Sequence, residues 1–370
     1  MRSKTKMLLC MCMLLVMVIC SACTNSNVQV TIGSDGETRI VTESLVQKSV
    51  LDRLIIAAKQ ASATQENAGE AEQSIAQLEQ MVGSLEVVMV DNVEYYKETK
   101  EEQFSSYKEA EKVAKESLRA NGVSIGEDHM YLAYYVNEEA AQVDTSMLSA
   151  YEMYLNMYGF TLEETQEMLK NAIVNVKVSF QNPITYSNGV ISEDGTQVCW
   201  SFTQEEINTL QQGVRVFYAE TTETSKIEGD TVAPKFIGIK NKGYYKQASI
   251  DVSDNVGVAA VVLNGLATES GVQIGFEGKH TLEVYDYNNN VTKCSFVVDF
   301  TKPKVKGVAN NKTYKGKRTI KFSDKYGIKS AKLNGKKIKN SKVVSKKGSY
   351  TLKVTDKAGN TTTVKFKIKK

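Results

Sequence analysis

The last 140 or so residues are one pattern written twice. Residues 231–300 and 301–370 align at an offset of 69, which becomes 70 after one inserted residue. Pro234, Gly238 and Tyr245 recur as Pro303, Gly307 and Tyr314. Asp254, Gly257 and Asn264-Gly265 recur as Asp324, Gly327 and Asn334-Gly335. Gly278, Leu282, Val284, Asp286, Asn290 and Phe296 then match Gly348, Leu352, Val354, Asp356, Asn360 and Phe366. Each copy is a series of short alternating segments between turn residues. Tyr350, Leu352 and Val354 alternate with polar residues, as do Val364, Phe366 and Ile368. Asn-Gly between such runs is a strong hairpin signal. Several such strands at even spacing predict a β-sandwich in each copy.

The two copies differ in charge. Residues 301–370 carry 23 Lys+Arg against 2 Asp+Glu, a net of +21, while residues 231–300 carry 6 against 7. Residues 24–230 carry 14 against 34, a net of −20, so the whole-chain net of +3 hides three unlike modules. Charge blocks of this strength bear on partners and solubility, not on fold. Lys336, Lys337 and Lys339, with Lys346 and Lys347, fall in turns or strand ends, and Lys365 and Lys367 line the polar face of the last strand. These lysines are candidates for binding an anionic polymer, since an ammonium group binds phosphate as a point charge. Docking onto the chain's own acidic module is the rival reading.

The N-terminus reads as an address. Arg2, Lys4 and Lys6 precede an uncharged apolar run, Met7–Cys20, then Ser21-Ala22-Cys23 and a polar stretch. That is the pattern of a secretory signal peptide, too short for a comfortable membrane span. Ser-Ala-Cys resembles the lipobox of bacterial lipoproteins, with Cys20 where an apolar residue is usual. The resemblance implies a signal peptide over residues 1–22, diacylation of Cys23, and a protein anchored on the extracytoplasmic face of the cell membrane. The lipid chains then make the membrane itself a partner. Four of the six Cys lie in the first 23 residues, which excludes a disulfide framework. Cys199 and Cys294 read as unpaired, Cys294 as a small core residue in phase with Phe296 and Val298.

Residues 23–227 read as an acidic α+β domain. Val28–Ile32, an Asp35-Gly36 turn and Thr38–Val41 predict an opening hairpin. Val46, Val50, Leu54 and Ala58 predict one helix, and Ala71, Ile75, Leu78 and Val82 a second. Leu85–Val90 and Met130–Val136 read as strands. Ser106 with Glu109 predicts a capped helix ended by Gly122. Met147–Tyr158 and a second capping box, Thr161 with Glu164, predict two more helices. Turns at Asn188-Gly189 and Asp194-Gly195 predict two closing hairpins, with Trp200 in the core.

Val30 through Arg39, and Val176 through Gly189 with Val198 to Phe202, resemble the opening and closing hairpins of LppM-like lipoproteins. The Asn-Gly hairpins and the Asp356–Asn360 turn resemble bacterial Ig-like repeats. Together they imply an α+β LppM-like domain followed by two all-β Ig-like sandwiches at residues 228–300 and 301–370. The LppM-like resemblance further implies binding of envelope lipid or glycolipid. A Tyr/Met-rich stretch is the candidate apolar ligand surface: Tyr131, Tyr134, Tyr151, Tyr154, Met157 and Tyr158. The same residues would also suit a modest core.

Catalytic signals are weak. Gly122-Val-Ser124-Ile-Gly126 fits G-x-S-x-G, but it follows a helix where a nucleophile elbow follows a strand. His129 reads as a loop residue beside Glu127 and Asp128. No Walker loop, H-E-x-x-H or C-x-x-C occurs in the mature chain. Asp254, Asp286, Asp324 and Asp356 read as turn caps, since no position offers clustered acidic ligands for a metal. The chain is therefore expected to have no catalytic residues, metal or cofactor, and no nucleic-acid partner. The reading is a lipid-anchored envelope binding protein. An envelope hydrolase using acidic residues of the N-terminal module, or a surface adhesin, are the alternatives.

Overall fold

The computed structural model describes residues 24–62, 68–136, 156, 159–164, 173–203 and 213–369. The chain divides into two compact units, one ending at Gly229 and the other spanning Asp230–Lys370. No helix among the described residues is long and apolar enough to cross a membrane.

In the first unit, β1 (Thr24–Ile32) and β2 (Thr38–Gln47) pair as the expected opening hairpin, with Ile32 opposite Thr38. Asp35 and Gly36 take φ of 53° and 94°, the positive values that a tight hairpin turn needs. The hairpin sits inside a seven-stranded sheet ordered β3-β4-β2-β1-β7-β10-β9. Its other strands are β3 (Glu86–Val90), β4 (Val93–Phe104), β7 (Ile173–Ser179), β9 (Val190–Ile191) and β10 (Gln197–Thr203). Only β1 and β7 pair in parallel. A second, antiparallel sheet is ordered β5-β6-β11-β8: β5 (Gly122–Gly126), β6 (His129–Val136), β11 (Gly213–Glu220) and β8 (Tyr186–Ser187).

Alternation along the strands builds the core between these sheets. Val28, Val30 and Ile32 of β1, Val176 and Val178 of β7, and Val198 and Trp200 of β10 all turn inward. Helix α3 (Tyr107–Leu118) adds Ala110, Ala114 and Leu118, one face at intervals of four. The second sheet adds Ile125, Met130, Leu132 and Ala219. Trp200 is core, as expected. A separate cluster joins α1 (Lys48–Ser62) and α2 (Ala68–Gly83) through Val50, Leu54, Ile55, Val82 and Phe160.

The second unit repeats one topology. Its five-stranded sheets are ordered β13-β18-β17-β15-β16 and β20-β26-β25-β22-β23, which is the same order in each copy. The first comprises β13 (Tyr244–Tyr245), β15 (Val258–Leu263), β16 (Leu266–Thr268), β17 (Gly278–Asp286) and β18 (Val291–Val298). The second comprises β20 (Lys312–Lys315), β22 (Ile328–Leu333), β23 (Lys336–Lys337), β25 (Gly348–Asp356) and β26 (Thr361–Lys369). Equivalent residues fill equivalent core positions: Ile250 and Ile320, Leu282 and Leu352, Phe296 and Phe366. Cys294 is buried where the other copy has Val364, as a small core residue.

The expected fold class, an α+β domain followed by two Ig-like sandwiches, is corrected by the strand content. Strands make up 52% of the structure and helices 14%. The first unit is two sheets with three described helices against them, and part of its strand content was not readable. β4 has no apolar alternation, yet it pairs with β2 over ten residues. Opposite charges hold that ladder: Arg39 to Glu101 at 2.7 Å and Lys97 to Glu43 at 2.8 Å. In the second unit each five-stranded sheet is faced by only a small one. That small sheet has two strands, Lys235–Ile237 and Asp251–Ser253, in the first copy. It has three short strands in the second. One strand of each larger sheet pairs in parallel. Neither copy is a sandwich of two comparable sheets.

Three local expectations also change. Ser106 stands at the N-cap of α3, but its hydroxyl makes no capping bond, and Arg119 in the left-handed region ends the helix. Gly122 instead opens β5. Asn188-Gly189 does not close a hairpin, because β8 pairs with β11 and β9 with β10, so this turn carries the chain from one sheet to the other. The Thr161–Glu164 box does form, with reciprocal bonds of 2.6 and 3.1 Å. The helix expected at Met147–Tyr158 lies outside the described residues, Asn156 excepted.

Candidate functional site

Where the two sheets of the first unit diverge, a cleft of about 730 Å³ remains between them. Its walls come from β6, β7, β10 and β11, and their side chains are mostly apolar: Tyr134, Val174, Trp200, Phe202 and Phe217. The aromatics pack on one another edge-on. Phe202 and Phe217 have centroids 4.5 Å apart at 76°, and Trp200 stands 6.3 Å from Phe217 at 70°. The volume lies inside the roughly 300–1,000 Å³ range of small-molecule sites.

Polar groups fix the walls and leave one charge at the edge. Asn188 accepts from Trp200 Nε1 at 3.1 Å and from the Tyr218 N–H at 3.0 Å, and it donates to the Val216 carbonyl at 2.8 Å. One side chain thus ties the lining of both sheets together. Tyr134 donates to the Leu118 carbonyl at 3.2 Å, and burial pushes its phenol well above the ordinary tyrosine range, so it stays a neutral donor. The exposed Arg215 guanidinium lies 6.0 Å from the Phe217 ring. Val190, 77% exposed, also lines the cleft. An apolar interior with one cation at its edge suits an amphiphile with an anionic or polar head.

The Tyr/Met candidates separate. Tyr134 lines the cleft. Tyr131, one position out of phase along β6, points away from it, is 1% exposed, and donates to the fully buried Glu220. Tyr151, Tyr154, Met157 and Tyr158 lie outside the described residues, as does Cys23. Trp200, Phe202 and Phe217 were not among the candidates. Trp200 was read as core, and the Phe217 strand was not read at all. Alternation of Val214, Val216 and Tyr218 against Arg215 and Phe217 was the available signal.

Ser124 and His129 differ from their sequence reading. Ser124 Oγ lies 3.0 Å from His129 Nε2, and His129 Nδ1 lies 2.7 Å from Asp128 Oδ1, while Asp128 Oδ2 pairs with Lys226 at 2.5 Å. The order of groups resembles a nucleophile, base and carboxylate. Its place is the tight β5–β6 hairpin, and none of the three lines the cleft. The series accounts for the polar groups of a half-buried turn and of the segment after β11.

In the second repeat, Lys336, Lys337, Lys339, Lys346, Lys347, Lys365 and Lys367 are all exposed. Lys332 stands directly opposite both Lys337 and Lys353, so like charges face each other across neighbouring strands. The aspartates Asp254, Asp286, Asp324 and Asp356 do cap turns, each accepting backbone N–H bonds of 2.8–3.1 Å. The expectation that no clustered acidic ligands occur is overturned, because these four converge in pairs on two further aspartates, Asp230 and Asp299.

No family model matches the chain, and no curated protein matches it. Among solved structures, the folded domain of Mycobacterium tuberculosis LppM is similar at 10% identity and a TM-score of 0.29. That likeness covers 55% of this chain and 92% of that one. A Bacteroides ovatus protein, SGBP-B of a mixed-linkage glucan utilization locus bound to a heptasaccharide, is similar at 13% identity and a TM-score of 0.16. It covers 53% of this chain and 63% of that one. Dimeric latent PorU from Porphyromonas gingivalis is similar at 12% identity and a TM-score of 0.15, over 66% of this chain and 32% of that one. At these scores the likenesses carry no argument about this chain, and the reading of its function rests on its own residues.

Proposed function

We propose that this is a lipid-anchored envelope protein that binds an amphiphile, a lipid or glycolipid, in the cleft between the two sheets of its first unit. The observation that carries the reading is the cleft itself: about 730 Å³, walled by Tyr134, Trp200, Phe202 and Phe217, with Arg215 at its edge. The acyl part lies against the aromatic walls, where burial contributes about 25 cal/mol per Å². The head faces Arg215 and solvent. Cys23 carries the lipid anchor, which holds the unit close to its ligand's source at the extracytoplasmic membrane surface. The exposed lysines of the second repeat contact anionic wall polymer or headgroups, and nucleic acid is not a partner.

The cleft is tested by native mass spectrometry of the chain without its leader, incubated with a total envelope lipid extract. A bound lipid is expected on the wild type. Val174→Phe fills the cleft from β7 and should remove the adduct while leaving the circular dichroism spectrum unchanged. An adduct that persists in folded Val174→Phe, or no adduct on the wild type, overturns the reading.

A further inference from the structure

Six aspartates of the second unit form two clusters of the same design. Asp230, Asp254 and Asp286 make one, and Asp299, Asp324 and Asp356 the other. In each cluster one carboxylate oxygen per residue lies within 4.8 Å of the other two, and the burial order is the same: buried, half-buried, buried. The members match across the repeat at offsets of 69, 70 and 70. The duplication has therefore kept a site of three residues that are distant in sequence.

Each carboxylate gives its Oδ1 to the backbone of a turn. Asp230 Oδ1 accepts from the Val232 N–H and from Asn255 Nδ2, and Asp299 Oδ1 accepts from the Thr301 N–H. The other four accept from their own turns, as described above. The Oδ2 atoms of Asp230, Asp254, Asp286, Asp299 and Asp356 are buried and have no hydrogen-bond partner. Asp286 and Asp356 are 0% exposed and Asp299 1%. A buried carboxylate oxygen without a donor is costly, and carboxylates side by side repel one another as well. Among the described residues no lysine or arginine forms an ion pair with any of the six.

Composition sharpens the point. Residues 301–370 hold 23 basic residues and only two acidic ones, and those two are Asp324 and Asp356. Although that surface is crowded with lysine, neither forms an ion pair among the described residues. The fold gathers buried carboxylate oxygens that have no hydrogen-bond donor, which is the arrangement expected around a bound cation.

We propose that Asp230, Asp254 and Asp286 bind one calcium ion and that Asp299, Asp324 and Asp356 bind a second, which ties the end of the first repeat to two turns of the next. Oxygen-only ligands select a hard cation. Two oxygens on opposite sides of a calcium ion stand about 4.8 Å apart, twice a Ca–O distance near 2.4 Å, whereas magnesium needs about 4.2 Å in near-ideal octahedral geometry. Backbone carbonyls and water supply the remaining ligands. Asp299 directly follows the last strand of the first repeat, so the second ion fixes the junction between the copies.

The test uses the chain without its leader, stripped with EGTA and titrated with calcium chloride by isothermal calorimetry, with magnesium chloride in parallel. Two ions per chain are expected, at affinities typical of extracellular modules, about 10⁻⁴–10⁻³ M or tighter. Asp286→Asn and Asp356→Asn should each remove one ion, and the double variant both. A thermal melt gives a second readout. Calcium should raise the wild-type melting temperature. In EGTA, Asp356→Asn should melt at or above the wild type because a repulsive charge is gone, and in calcium below it. That reversal of order distinguishes a ligand from a turn cap, whose loss lowers stability in both buffers. Should Asp356→Asn fail to fold, Asp324→Asn repeats the test at the same site. No binding and no shift in melting at about 10 mM calcium, ten times the weakest expected affinity, overturns the proposal. So does binding that the variants leave at two ions per chain, or binding of magnesium alone.

Discussion

Tyr131→Phe removes one oxygen from the first unit and should cost more than its size suggests. Tyr131 is 1% exposed and Glu220 0%. The phenol donates to Glu220 Oε1, and among the described residues the other donor to that carboxylate is the Lys226 backbone N–H, 3.1 Å from both oxygens. Without the hydroxyl, a buried carboxylate loses a donor that water cannot replace. Hydrogen bonds to charged groups contribute about 1.5–3 kcal/mol. For a unit of this size each kcal/mol is about 2–4 °C in melting temperature. A loss of about 2 kcal/mol and of about 4–8 °C is therefore expected, read by urea unfolding and by calorimetry. Tyr134→Phe is the control. It loses a neutral bond of 3.2 Å to the Leu118 carbonyl, worth about 1 kcal/mol. Glu220→Gln in the Tyr131→Phe background should recover part of the loss, since a neutral amide is cheaper to leave short of a donor. Equal costs for Tyr131→Phe and Tyr134→Phe, or a cost below about 0.5 kcal/mol for the former, would refute the buried-carboxylate argument.

Gly238 and Gly307 are equivalent turn positions with φ of 82° and 90°, but an added Cβ meets nothing at Gly238 and would lie 1.9 Å from the Thr319 carbonyl oxygen at Gly307. Gly238→Ala should cost only the strain of a positive φ, about 1–3 kcal/mol. Gly307→Ala should exceed about 4 kcal/mol, because backbone must move, and similar costs in urea unfolding would contradict this. On purified cell wall, the chain should be retained in low salt and released as screening shortens from about 8 Å at physiological ionic strength to about 3 Å at 1 M. Changing Lys365, Lys367, Lys336 and Lys337 together to Gln should weaken retention, and retention unaltered by salt or by these changes would rule out the charge account.

What could be read in the sequence follows from where each signal originates. The opening hairpin, the α1 and α2 helices, β6 and the duplication all rest on local patterns: an Asp-Gly turn, apolar spacing of three to four, alternation, and self-similarity. β4 was missed because cross-strand charge pairs hold it, and such pairs are invisible until the partner strand is known. The cleft was missed for a similar reason. Tyr134, Trp200 and Phe217 sit on strands from two sheets, and nothing local says that their aromatic faces meet. Tyr131 and Tyr134 belonged to one Tyr/Met stretch, but period two, or any odd spacing, places residues three apart on opposite faces. The aspartate triads lie deeper still. Asp230, Asp254 and Asp286 are 24 and 32 residues apart; Asp254 and Asp286 each looked like a turn cap, and each is one, while Asp230 carried no signal of its own.

The duplicated unit separates what the fold needs from what it tolerates. Positions in the core cluster of both copies stay apolar, and several are unchanged: Ile250 and Ile320, Leu282 and Leu352, Val284 and Val354, Phe296 and Phe366. Positions outside that core on the same strands differ freely, as the half-buried Glu283 against Lys353 and the exposed Ser295 against Lys365 do. The first copy keeps the same strand order with a net charge of −1, so the fold does not require the second copy's +21. That charge has a cost where Lys332 faces Lys337 and Lys353, since like charges directly opposite destabilise a sheet. Acidic residues could relieve the repulsion, but the only two in this copy are held in the aspartate cluster. The anionic partner proposed above would give such a surface its use, lowering that energy on binding, and salt is then expected to release it.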